Sequence, residues 1–327
     1  MTPSLLDTFR VLASFEPKRT SLRRAPWEEY TDWSISQGLA PLAAYNLEYR
    51  LGGADAPEWV RDRLMSVYQG ALNDNVMKLV NFKRTVDELE GRRIIVLGGP
   101  AFAEALYPHV AFRPVLDIEM LVAPDDVSPF ANFLQAGEFR PDLTLPGGRH
   151  PSGARRVLTD GRTQLLLYAE LLGPGRKEEE QGLFERAKPM KVYGPSMYRL
   201  ELEDAILMVA LDHARHGFEV PMLSFVDLRE LLLGAPSTGG VYSRTPDFAA
   251  LKARARAWKA ERALYASVAV VERLFPETAA AAEAAKPELR RATRELLERV
   301  IVQPVSELGK MRLVKGADRL RRLLTGA

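Results

Sequence analysis

RRIIVLGG (residues 92–99), PAFAEALY (100–107) and VLDIEMLV (115–122) are the stretches on which the reading of this chain turns. The first is a β-branched run stopped by two glycines, Gly98 and Gly99, which predicts a buried strand. The second predicts a short helix. The third predicts another strand, whose alternation puts Asp117 and Glu119 on one face and Leu116, Ile118 and Met120 on the other. Further along, SPFANFLQAGEF (128–139) predicts a helix closed by Gly137. The Gly-, Pro- and Arg-rich segment 140–163 predicts a hairpin or loop, and TQLLLYAEL (163–171) a third strand, apolar enough to be buried.

Outward from this centre the period changes from two to about three and a half. Residues 3–52 follow helical spacing, broken near Pro17, Pro26 and Gly52–Gly53. Residues 57–91 predict one long amphipathic helix, with Leu64, Val67, Tyr68, Leu72, Val76, Leu79, Val80 and Phe82 as its apolar stripe. From Leu202 onward helical spacing resumes to the end, interrupted at 234–246 and 275–277. The expected fold is therefore α+β: a helical part over 1–91, a small mixed sheet over 92–200 and a second helical part over 201–327.

Composition narrows the function classes. Net charge is +2, so no bulk electrostatic attraction to nucleic acid is expected. The absence of cysteine excludes disulfides, thiolate metal sites and a cysteine nucleophile. The N-terminal stretch MTPSLLDTFRVLASFEPKR does not read as a signal peptide, and no apolar run is long enough for a membrane helix. A cytoplasmic protein is expected.

Two local features carry chemistry. Glycines between a strand and a helix let backbone N–H groups approach a phosphate, and the helix N-terminus favours negative charge. A plain tight turn would use the same residues. Carboxylates two apart on a strand project together and can hold a hard cation such as Mg²⁺ through oxygen; a solvated strand face would also place them there. Three further groups stand apart from these. His213 and His216 share a helix face, which suits either packing between helices or a zinc site completed by Asp212 or Asp227. Arg149, His150, Arg155 and Arg156 form a basic loop suited to a triphosphate or to solvent. Residues 286–327 carry eleven Lys and Arg against five Asp and Glu. Leu308, Met311, Leu313, Leu320, Leu323 and Leu324 interrupt those charges, which predicts a basic amphipathic helix.

The glycine doublet, the helix and the Asp-x-Glu strand, in that order, resemble the signature of the nucleotidyltransferase superfamily, whose core is like the palm of DNA polymerase beta. More narrowly, the chain resembles a family of uncharacterised bacterial nucleotidyltransferases. The likeness runs through DWSISQGLAPL (32–42), IIVLGGPAFAEALYP (94–108), LFERAKPMKVYGPSMYRLELEDAILMVALDHARH (183–216) and LSFVDLRELL (223–232). It implies Mg²⁺ as cofactor and an NTP as substrate, with a nucleotidyl group passing to a protein or small-molecule acceptor. It also implies that Asp117 and Glu119 are catalytic and bind metal, and that Gly98, Gly99 and Arg113 contact the nucleotide.

The departures from the family pattern are specific. Gly98 stands where a lysine is usual. The third strand, where the family carries an acid and then a histidine, has Leu166 and Tyr168 instead. Glu170, two residues further on, is the one acid near enough to compensate. The loss of the third acid implies an alternative: a degenerate member that binds nucleotide or a protein partner as a scaffold or regulator.

Overall fold

The structure is a computed structural model that describes residues 4–53, 55–86, 93–142, 156–173, 175–190, 196–234, 242–307, 310–314 and 316–325. The chain opens with helices α1 (Leu5–Leu12), α2 (Trp27–Ser36) and α3 (Ala40–Tyr45), a π-helical turn (Asn46–Arg50) and the long helix α4 (Glu58–Val86). Then come β1 (Ile94–Leu97), α5 (Gly98–Ala105), β2 (Asp117–Leu121), α6 (Val127–Ala136), β3 (Arg140–Pro141), β4 (Arg156–Thr159) and β5 (Gln164–Tyr168). They are followed by α7 (Lys177–Arg186), β6 (Lys188–Pro189) and β7 (Met197–Arg199). The last part holds α8 (Leu202–Arg215), α9 (Met222–Leu233), α10 (Phe248–Ala257), α11 (Glu261–Leu274), α12 (Ala279–Ala285) and α13 (Arg291–Val300), then β8 (Ile301–Glu307), β9 (Lys310–Val314) and α14 (Ala317–Thr325). The fold is α+β. Among the described residues no helix is long and apolar enough to cross a membrane.

The chain divides into two compact units. One comprises Met1–Ala71, Leu106–Arg113 and Leu202–Ala327; the other comprises Leu72–Ala105 and Pro114–Glu201.

The second unit holds the seven-stranded mixed sheet, in the order β3-β4-β5-β2-β1-β7-β6. Its centre is the trio expected from the sequence. β2 runs antiparallel to β1 and parallel to β5. α5 packs on β1 and β2, and α6 packs on β3, β4 and β5. The alternation of β2 divides its side chains as the sequence predicts: Ile118 and Met120 are fully buried, while Asp117 and Glu119 are half-buried. Leu116 departs from the expectation. β2 starts one residue after it, so the pleat does not turn it inward, and it is 75% exposed.

The 140–163 segment does contain a hairpin, because β4 pairs antiparallel with both β3 and β5. Of its basic loop, Arg149, His150 and Arg155 lie outside the described residues; Arg156 is exposed on β4. Helix α4 is described to Val86, so the expected continuation to 91 lies outside the described residues. Its buried line runs through Leu64, Tyr68, Asn75, Leu79, Phe82 and Val86. Val76 and Val80, expected in the stripe, sit about one residue's rotation away from that line and are exposed.

The first unit is built around α11, apolar on most of its circumference and buried over most of its length. It packs against α8 and α12. The expected C-terminal helix is corrected here. Residues 301–314 form the antiparallel β8–β9 pair, and helix returns only at Ala317. Pro304 lacks the N–H that a helix interior needs, and Ile301, Val302 and Val305 favour extended backbone. Met311 and Leu313 therefore lie on β9, while Leu320, Leu323 and Leu324 lie on α14; Leu308 is outside the described residues.

Candidate functional site

The acidic pair is set in place before β2 begins. Val115, two residues ahead of Asp117, donates its N–H to Oδ1 of buried Asn75 at 2.9 Å, and its carbonyl accepts from Nζ of Lys78 at 2.8 Å. Asn75 and Lys78 are one helical turn apart on α4, so a single helix face grips both polar groups of one residue. Lys78 is held in turn by Asp74 at 2.7 Å. Losing the Asn75 contact would leave a buried N–H without a partner, a cost of roughly 1–3 kcal/mol.

On β2 the pleat brings Asp117 and Glu119 to the same side, and the strand register decides what surrounds them. Asp117 is opposite Gln164, and Glu119 is opposite Leu166 on β5 and Leu97 on β1. Residues paired across neighbouring strands share a face. Leu166 and Tyr168 therefore lie on the acidic face, as the resemblance implies. Tyr168 donates its hydroxyl to Oε1 of Glu119 at 2.7 Å. Glu170 is exposed and lies beyond the end of β5, so strand alternation does not carry it onto this face.

Gly98 lies close to Glu119. Gly98 follows Leu97, the residue paired with Glu119, and opens α5 with φ +54°, a conformation that favours glycine. A Cβ at Gly98 would lie 3.3 Å from Oε2 of Glu119. The strand–glycine–helix turn and the acidic strand thus form one local site.

Gln164, beside Asp117, donates from Nε2 to Oδ2 of Asp142 at 2.7 Å. Asp142 continues β3, giving its N–H to the carbonyl of Val157 at 3.0 Å. Sequence reasoning passes over Asp142 and Gln164, because the β3–β4–β5 register that brings them together is not written in either segment alone.

Arg113, expected at the nucleotide, belongs to the first unit, and its guanidinium is engaged by Asp227. Nε lies 3.2 and 3.1 Å from the two carboxylate oxygens, and Nη2 lies 3.0 Å from Oδ2. The Tyr107 hydroxyl donates to the same carboxylate at 2.8 Å. Burial pushes the Asp227 carboxyl up, against the pull of Arg113.

The two candidate zinc ligands diverge. His213 is fully buried; its ring lies 4.3 Å from that of Phe225, centroid to centroid, and its Nε2 lies 2.8 Å from Ser224 Oγ. Burial pushes its pKa down to about 4. His216 is exposed and pairs with Asp212, whose hydrogen bond raises it to about 9. Among the described residues no group of three or more His, Asp or Glu side chains is placed to hold a metal ion. A cation at the acidic face would therefore draw on the Asp117–Glu119 pair, with water and phosphate oxygens in its remaining positions.

Compared with known protein families, the chain matches the model of the uncharacterised nucleotidyltransferases over residues 23–276. It belongs to that family. Membership implies a nucleotide substrate and a nucleotidyltransferase-like function. No curated protein and no solved structure matches the chain. The family match spans the whole seven-stranded sheet, with the glycine turn and acidic strand inside it. The β8–β9 pair and α14 follow after it.

Proposed function

We propose that this nucleotidyltransferase-family protein transfers a nucleotidyl group from an NTP to a hydroxyl of a protein or small-molecule acceptor, with Mg²⁺ as cofactor. The observation that supports this most is the closeness of Glu119 Oε2 to the point where a Gly98 side chain would begin, 3.3 Å. It puts a carboxylate beside a side-chain-free turn at a helix start, the arrangement a metal-bound phosphate requires.

The residues fit such a group. Asp117 and Glu119 are hard oxygen donors on one face, half-buried and so within reach of a ligand. They would hold Mg²⁺, which when bound neutralises phosphate charge and favours in-line displacement. Gly98 and Gly99 would admit the phosphates to the backbone N–H groups at the start of α5, with no side chain to keep them away. Leu97 and Leu166, both buried, would exclude water from the floor beneath the acids. The reading places the protein in the cytoplasm, where NTPs are supplied.

One observation favours a second reading. Leu166, 1% exposed and opposite Glu119, gives the face an apolar group where a proton acceptor for the attacking hydroxyl would be useful. On that reading the site binds the nucleotide without turning it over, and the protein serves as a scaffold or regulator. The test is a thermal-shift series with each of the four NTPs, with and without Mg²⁺, run beside a pyrophosphate-release assay. A Mg²⁺-dependent shift with turnover supports transfer, and a shift without turnover supports the binding role. No shift with any NTP contradicts both.

A further inference from the structure

Glu119 is a long side chain asked to present a carboxylate at one point, and its rotamer freedom opposes that. Tyr168 answers this directly. Its ring is packed, with the residue only 5% exposed, so the phenol oxygen has a fixed position. From there it donates to Oε1 of Glu119 at 2.7 Å. The other oxygen, Oε2, lies 3.3 Å from the point where a Gly98 side chain would begin. One end of the carboxylate is thus tied to β5, while the other faces the glycine turn.

We propose that Tyr168 is a positioning residue of the acidic site, its hydroxyl holding Glu119 so that Oε2 is presented toward the Gly98 turn. The inference rests on reading Asp117 and Glu119 as the pair that holds the cation. In this role Tyr168 acts through Glu119. Fixing the carboxylate before the ligand arrives removes ordering that binding would otherwise have to supply. A hydrogen bond that served only to join β5 to β2 would affect stability and leave ligand binding unchanged.

The experiment is calorimetric titration of the full chain with Mg²⁺·ATP, Mg²⁺·GTP, Mg²⁺·CTP and Mg²⁺·UTP. Tyr168→Phe removes a single oxygen and is expected to weaken binding of the preferred nucleotide about tenfold. In a Glu119→Gln background, Tyr168→Phe is expected to cause no further loss, since the charged acceptor is gone. Wild-type affinity in Tyr168→Phe, with binding lost in Asp117→Asn, would overturn the positioning role alone. So would a Tyr168→Phe loss that persists in full beside Glu119→Gln. A wild type with no Mg²⁺-dependent binding of any NTP would overturn the metal-site reading as well.

Discussion

Glu119 on β2 and Leu166 on β5 are partners in parallel register, so a carboxylate and a buried leucine share one face of the sheet. The leucine strengthens the floor of the site and supplies no carboxylate opposite Glu119. Leu166→Asp is therefore expected to have two opposite effects. A buried carboxylate next to Glu119 should destabilise the fold by several kcal/mol, on the order of 3–5. Adding Mg²⁺ and an NTP should recover part of that, giving a larger rise in melting temperature than in wild type. A destabilised variant that gains nothing from the ligands would show that Leu166 faces a purely structural core.

Gly98 is expected to tolerate no side chain. Its φ of +54° costs an alanine roughly 1 kcal/mol, and the new Cβ would press on the Glu119 carboxylate. Gly98→Ala should lower the urea midpoint by a corresponding amount and also weaken Mg²⁺·NTP binding. The same stability loss with unchanged binding would make the glycine a turn residue only.

How much of this was legible beforehand depends on the range of the interaction. β1, β2 and β5 and the same-face acids follow from short-range patterns: β-branched runs, period two and a glycine stop. The Tyr168–Glu119 contact needs the register between strands 49 positions apart, which no local pattern carries. Arg113 illustrates the same limit. It stands four residues ahead of Asp117, and its pairing with Asp227, 114 positions away, is carried by no local pattern. The β8–β9 pair was legible and missed. Pro304 and the β-branched residues around it argue for extended chain, but the spacing of charges and leucines suggested a helix.

His213 gives the first unit a pH dependence of its own. Folded His213 stays neutral down to about pH 4, while in the unfolded chain it takes up a proton near 6.5. Its contribution to stability is therefore complete above pH 6.5 and falls as pH drops toward 4, by roughly 3 kcal/mol in all. His216, raised to about 9 by Asp212, acts in a separate window: its contribution is present below 6.5 and lost as pH rises through 9. His213→Gln can still hydrogen-bond Ser224 and cannot titrate. Its unfolding free energy should fall less steeply than that of wild type between pH 6.5 and 4. Parallel curves for the two proteins would mean that His213 protonates in the folded state as readily as in the unfolded one.

The central claim is that Asp117 and Glu119 hold the cation that brings the nucleotide to the glycine turn. Calorimetry of wild type and Asp117→Asn with each NTP, in the presence and absence of Mg²⁺, tests it most directly. The half-buried position of Asp117 should let the asparagine fold with a nearly unchanged melting temperature. Wild type is expected to bind at least one NTP in a Mg²⁺-dependent way, and Asp117→Asn to lose about a hundredfold or more of that affinity. Equal affinity in the two proteins, with Mg²⁺ present, would contradict it.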